Sequence, residues 1–244
     1  MVEAENFIGN GDTFLQKEKY IDAIREYTKA LEIIGKNEDS ETADLCYRLS
    51  QAYSSLDSKN DENSIKFAKM ALEIHKKLGE KDMEIMDLLN IGYIEMDSSK
   101  FKETEAAFTE AINLAGSIKD IFLESSAKNA LAELKLERKE ASAAQKIYEE
   151  VAEASLASED WENYFEAKRG LIGLIRKKDE EKALEVSLEA LELVDKIAAH
   201  IKNKKERKEF RKSLIFMYDL ASDIAMELND VDQAIKIAQR LKAD

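Results

Sequence analysis

Residues 7–30 read FIGNGDTFLQKEKYIDAIREYTKA, and the alternation of bulky and small side chains in this stretch decides the fold. Phe7, Asn10-Gly11, Phe14, Tyr20, Ala23, Tyr27 and Ala30 keep helical spacing, with a polar break at Lys17 to Lys19. The same frame returns as Cys46, Leu49-Ser50, Tyr53, Ser64, Ala68, Ala71, and again as Leu88, Ile91-Gly92, Phe101, Thr104, Phe108, Ala111. A fourth copy is Leu131-Ala132, Ala141, Ala144, Tyr148, Val151, and weaker copies lie around Ala183, Ser187, Ala190 and around Ala221, Val231, Ala234, Ala238. The small residues that open each second helix, Ala23, Ser64, Thr104, Ala144, Ala183 and Ala234, are 41, 40, 40, 39 and 51 residues apart. Self-similarity at such a period marks a repeat architecture, in which no unit buries its apolar face alone and neighbours must stack.

Close helix packing explains the residue types. Gly11, Ser50, Gly92 and Ala132 on first helices, and Ala23, Ser64, Thr104 and Ala144 on second helices, belong where two helices approach, and bulk there would force them apart. Aromatic residues such as Phe7, Tyr27, Phe108 and Tyr148 fill the remaining space, each burying roughly 150–250 Å². Connections over Gly35 to Thr42, Leu56 to Asn63 and Gly79 to Asp82 are polar and short, and Asp39, Asp82, Asp120 and Asp160 are expected N-caps.

The pattern resembles the tetratricopeptide repeat, in the long-repeat form seen in kinesin light chains and bacterial peptide-sensing regulators. Asn10 departs from the usual Leu, and the absence of proline removes the residue that ordinarily ends the second helix, so longer second helices are expected to carry the forty-residue period. The resemblance implies an all-α, right-handed superhelical solenoid of about six helical hairpins. It is one domain over 1–244, with repeats near 4–37, 42–79, 84–118, 124–158, 163–201 and 213–244. It also implies a non-catalytic scaffold with a protein or peptide partner in a groove lined by first helices. Carried over by slot, the groove residues are Ile8, Asp12 and Leu15; Tyr47, Arg48 and Gln51; Met86, Leu89, Asn90, Tyr93 and Met96; Asn129 and Glu133; and Lys168, Arg169 and Ile172.

Met86, Leu89, Tyr93 and Met96 form an apolar stripe at helical spacing, which is either core or an exposed floor with adaptable methionines. The clamp by which some members hold chaperone C-terminal tails is not expected, because Ile8, Asp12, Arg48, Met86 and Asn90 occupy its slots and two positive charges are missing.

Composition bounds the remaining classes. The 244 residues carry 37 Lys+Arg against 51 Asp+Glu, a net charge of −14, with 8 Gly and no Pro. Such a balance opposes nucleic acid and anionic membrane as partners, since phosphate affinity rests on Lys and Arg. One segment runs the other way: Lys202, Lys204, Lys205, Arg207, Lys208, Arg211 and Lys212 outnumber two glutamates between 202 and 212, for a local +5 and −19 elsewhere. This basic patch is either a solvated helix face or a docking patch for an acidic partner. About ten residues beyond the usual spacing fall there, read as two lengthened helices or one long hairpin. A single cysteine, no signal-like N-terminus and no long apolar run give a cytoplasmic expectation.

Residues for chemistry are scarce. His75, His200 and Cys46 offer no zinc or thiol–histidine constellation on spacing alone, and no cofactor or metal is expected. His75, near a helix end, is read as a favourable charge for the helix dipole. Self-assembly into a homo-oligomer through the last repeat, around Ile235, Ile237, Ala238 and Leu241, is the alternative to groove binding.

Overall fold

The structure, a computed structural model, describes residues 2–35, 37–56 and 62–242. Residues 57–61 of the turn expected after Leu56 lie outside the described residues, as does Lys36. Among the described residues there are thirteen α-helices: α1 (Val2–Gln16), α2 (Tyr20–Ile34), α3 (Ser40–Ser54), α4 (Glu62–Leu78), α5 (Lys81–Asp97), α6 (Phe101–Ile118), α7 (Ile121–Glu137), α8 (Ala141–Ala157), α9 (Trp161–Arg176), α10 (Glu180–His200), α11 (Lys204–Ser213), α12 (Ile215–Glu227) and α13 (Val231–Lys242). No strand occurs among these residues, and none of these helices is long and apolar enough to cross a membrane. The helices divide into two compact units, Met1–Leu134 and Lys135–Asp244.

Seven of the described helices end in one recurring turn. Glu18, Gly79, Ser99, Lys119, Lys139, Glu159 and Asn229 all have φ between 56° and 74°. The residue after each donates its N–H to a carbonyl five positions back, as from Lys19 to Phe14, Lys100 to Glu95, Glu140 to Lys135 and Asp230 to Ala225. This is the Schellman closure of a helix. It consumes an N–H that proline lacks, which gives the missing prolines a local reason in these turns.

The closure also produces the period. Helices α5, α7 and α8 each have 17 residues and α6 has 18. With turns of two or three residues, the starts of α5, α7 and α9 fall 40 apart. The extra length therefore sits in first and second helices alike, a correction to the expectation that second helices alone carry it.

Three of the four expected caps form: the carboxylates of Asp39, Asp120 and Asp160 accept the N–H groups of Thr42, Leu123 and Asn163. Asp82 instead lies inside the first turn of α5, where its charge faces the helix's positive end.

In the first unit, Gly11 and Gly92 sit where a neighbouring helix's ring comes close. A Cβ on Gly11 would stand 2.4 Å from the Tyr27 ring, and one on Gly92 would stand 2.2 Å from the Phe108 ring. Ser50, Ala23, Ser64 and Thr104 fill their slots out of solvent. Tyr27, Leu45 and Leu49 anchor one part of the core, and Ile85, Leu88, Phe108, Leu123 and Leu134 another.

The second unit repeats the device: a Cβ on Gly170 of α9 would meet the Tyr148 ring of α8 at 2.3 Å. Its core gathers Phe165, Ile172, Leu191, Val194, Met217, Tyr218 and Ile237. The basic segment is not a lengthened hairpin. α10 stops at His200, Ile201 is extended, and Asn203 caps a separate ten-residue helix, its side-chain oxygen accepting from Lys205 and Glu206. Asparagine outside the periodic run, with its short polar side chain, is what breaks the helix there.

Candidate protein-interaction site

In the first unit the first helices of successive hairpins, α1, α3 and α5, are tied side to side by polar links. Asp12 of α1 accepts from the Arg48 guanidinium of α3 and, at 2.7 Å, from the Tyr27 hydroxyl of α2. Burial and the Asp12 carboxylate together push the Tyr27 hydroxyl upward. Asn90 of α5 donates at 2.9 Å to the Ser50 hydroxyl of α3, which in turn donates to the Ser64 carbonyl at 2.8 Å. Gln51 donates to the Tyr47 hydroxyl at 3.1 Å. Burial, with the Asp87 charge added, raises the Tyr47 hydroxyl.

These links explain where the expected groove residues go. Thirteen of the sixteen, Ile8, Asp12, Leu15, Tyr47, Arg48, Gln51, Met86, Leu89, Asn90, Tyr93, Met96, Asn129 and Glu133, belong to the first unit; Lys168, Arg169 and Ile172 belong to the second. Along α5 the apolar stripe splits between the two readings that its spacing left open. Met86 and Tyr93 are 37% and 38% exposed, with half-buried Asn90 between them. Leu89 is 8% exposed and packs beside Phe108 and Leu123, so it is a core residue and not a groove residue. Met96 packs against that core too. Asn129 on α7 is buried. The Tyr93 ring rests edge-on against Phe108, centroids 5.3 Å apart, which fixes it without hiding it.

Arg48 is not an unoccupied anchor, because Asp12 already holds it; a partner's carboxylate would have to compete with that pair. In the second unit, Lys168 lies over the Tyr164 ring at 5.8 Å and Arg169 over Phe216 at 5.7 Å, with Arg169 also bonded to Glu166 at 2.8 Å. Ile172, carried over as a groove slot, is fully buried.

The basic segment sorts by face. Lys202, Lys204, Lys205, Lys208 and Lys212 are exposed. Arg207 instead donates to the Ile201 carbonyl at 3.3 Å, and Arg211 turns inward to Asp195 at 3.4 Å. Phe210 packs on the core between them.

A buried polar pair lies in the first unit where spacing gave no warning. His75 of α4, in the last turn of its helix as expected, is fully buried, with Nδ1 2.6 Å from Asp87 Oδ2 of α5. Burial pushes the Asp87 carboxyl up to about 6, against the opposing pull of His75. Cys46 is buried nearby, and its thiol is pushed up to about 11 by burial and by the Asp87 charge. Among the described residues no three His, Cys, Asp or Glu side chains stand at metal-ligand spacing.

Known proteins share this arrangement of helices. Aspartyl phosphate phosphatase F from Bacillus subtilis superposes with a TM-score of 0.71 at 15% identity, covering 98% of this chain and 69% of that one. The putative kinesin light chain TPR-like repeats of Podosopora anserina give 0.64 at 11% identity, covering 79% and 95%. The fold is that of the tetratricopeptide-like helical repeats. The Rap conjugation gene regulator of plasmid pLS20, solved in complex with the Phr* peptide, gives 0.63 at 18% identity, covering 97% and 71%. No family model and no curated protein matches the sequence.

Proposed function

We propose that this tetratricopeptide-like chain is a non-catalytic interaction scaffold whose first unit binds a partner peptide or helix across α1, α3 and α5. The observation that carries this is the pair Met86 and Tyr93, large apolar side chains exposed on a face that polar links hold rigid. A rigid floor lowers the ordering cost of binding, and an exposed Met and Tyr supply apolar contact area with a polar handle. Asn90, Gln51 and Tyr47 beside them can pair with a partner's backbone amides. The peptide complex of the Rap conjugation regulator, a protein of like fold, supports the class of ligand.

The test is a displayed random-peptide selection on the full chain, followed by titration of a selected peptide against Met86→Glu and Tyr93→Ala. Both variants keep wild-type helicity, and each is expected to weaken binding about tenfold or more, the loss of a well-packed anchor. Undiminished affinity in both would remove this face as the site.

A second reading is association between copies of the chain, favoured by Val231 and Ile235 of α13, each 51% exposed and four residues apart on one face. Sedimentation of the wild type against Ile235→Lys tests it: a concentration-dependent dimer in the first and a monomer in the second is expected. The lysines of α11 are proposed as a separate contact for an acidic partner.

A further inference from the structure

Lysines crowd the outward side of α11. Lys204, Lys208 and Lys212 are exposed and fall four residues apart, with exposed Lys205 beside them. Positions four apart share a helix face and stand about 6 Å from one another along the axis, so the three form a row. Lys205 meets Glu209 at 3.9 Å, whereas Lys208 and Lys212 form no ion pair among the described residues.

The chemistry of the row selects its partner. The two guanidiniums of the segment, groups that fork onto phosphate, are engaged inside the unit: Arg207 donates to the Ile201 carbonyl at 3.3 Å and Arg211 to Asp195 at 3.4 Å. What faces outward is a set of ammonium point charges, and carboxylates spaced four residues apart would match it. The chain carries such a row. Glu181, Glu185 and Glu189 of α10 are exposed at the same spacing, Glu185 being shared with Lys182 at 2.6 Å. Within one copy the rows are offset. Because Arg211 reaches Asp195, α11 lies along the last turns of α10, and Glu189 stands about 9 Å before Asp195 along the helix.

Copies of a chain with a net charge of −14 repel at a distance. The local +5 of residues 202–212 is where one copy can approach another with attraction. We propose that the acidic partner of α11 is a second copy of this chain, with Lys204, Lys208 and Lys212 of each copy docked on Glu181, Glu185 and Glu189 of the other. This rests on the reading of α11 as a contact for an acidic partner, and it names that partner. With lysines beside one end of α10 and glutamates toward the other, two antiparallel copies make both contacts at once, the closed arrangement of a twofold dimer. Ion pairs between exposed side chains are individually weak, so the association is reversible and needs the whole row.

Sedimentation of the full chain tests it, at about 0.1 M salt, where charges more than about 10 Å apart are screened. The wild type is expected to dimerise as its concentration is raised to several hundred micromolar. One variant reverses the first row with Lys204→Glu, Lys208→Glu and Lys212→Glu together; another reverses the second with Glu181→Lys, Glu185→Lys and Glu189→Lys. Each sets like charges against one another and should weaken association about tenfold or more. An equimolar mixture of the two should recover it, because each reversed row then meets its opposite. All six residues are exposed, so helicity should stay at the wild-type value. Raising the salt to about 1 M, where screening acts within about 3 Å, should also separate the copies. An apolar contact through Val231 and Ile235 would persist there.

A wild type that stays monomeric overturns the proposal. So does a reversed variant that dimerises as tightly as the wild type, or a mixture that fails to associate. A labelled helical peptide with glutamates four residues apart then separates the two readings. If a monomeric wild type binds it and the lysine-reversed variant does not, the acidic-partner reading stands and only the second copy is lost; binding by neither removes both. A DNA oligonucleotide held by the same lysines, in place of the peptide, also removes both.

Discussion

The two units build the same helix contacts but tie them together differently. In the first, the lateral links join residues one repeat apart: Asp12 to Arg48 across 36 positions and Ser50 to Asn90 across 40. In the second, Arg176 reaches Glu227 across 51 positions, and Asp195 takes two guanidiniums, from Arg211 and, across 45 positions, from Arg240. The span of 51 is about one repeat plus the ten residues of α11. An insertion in the period has therefore been absorbed without losing the helix-to-helix packing, by a short helix whose inward arginine and phenylalanine join the unit's core. Where the period is kept, the links are small and the face they brace carries exposed Met86 and Tyr93.

The largest expected effects test the feature that both units share. Gly92→Val places a branched side chain where even a Cβ would stand 2.2 Å from the Phe108 ring, and the cost should be about 2–3 kcal/mol. Ala144→Arg in the second unit, at a residue with no exposed surface, should cost at least as much, since a guanidinium would also be buried. Gly173→Ala is the control. Nothing lies within 4 Å of its Cβ position and it sits inside α9, so the change should stabilise by about 0.5–1 kcal/mol through helix propensity. Urea midpoints measure all three. A Gly92 variant no weaker than wild type would mean that the approach at the ring is not the close contact the unit depends on.

The polar links distinguish the units next. Asp195→Ala leaves Arg211, whose side chain is 12% exposed, without its carboxylate, and also releases Arg240. A loss of about 2 kcal/mol is expected, because a mostly buried charge loses its carboxylate. Asp12→Ala should cost nearer 1 kcal/mol: Arg48 is 40% exposed and regains water, while the Tyr27 hydroxyl loses one acceptor. Hydrogen exchange should show each loss in its own unit. A larger cost from Asp12 than from Asp195 would invert the account of which unit relies on its ion pairs.

The slots of the repeat were legible in the sequence because they are questions of volume. Gly11, Gly92, Ala23 and Ala144 are small at fixed spacing, and packing makes them so. Faces were harder. α5 buries Ile85, Leu88, Leu89, Ile91, Gly92 and Ile94 on several sides, so its apolar period cannot say that Met86 and Tyr93 turn outward while Leu89 turns in. His75 was missed for a different reason. Its place in the last turn before Lys76 and Lys77 suggests only a helix-end charge, and the pairing with Asp87 of the next helix is one that no local pattern encodes. The break before α11 does carry a local signal, Asn203, which accepts two backbone N–H groups as a cap.

The smallest expected effects lie in the turns, and they ask whether the two units are built on one closure. Ser99 in the first unit and Lys139 and Glu159 in the second have φ of 58°, 61° and 56°, a conformation that costs an L-residue roughly 1–2 kcal/mol and glycine almost nothing. Glycine at these sites also loses more freedom on folding, which offsets about 0.5–1 kcal/mol of the gain. The net expectation for Ser99→Gly, Lys139→Gly or Glu159→Gly is a stabilisation of about 0.5 kcal/mol each. Gly79→Ala, at φ 74°, should lose about 1 kcal/mol for the converse reason. The turn at Lys139 closes α7 and the turn at Glu159 closes α8, so their gains should add in the double variant. A double variant no more stable than either single one would mean that easing the turn before α8 already relieves the turn after it. That would make the helix, with both its turns, the smallest element of this fold that can be altered alone.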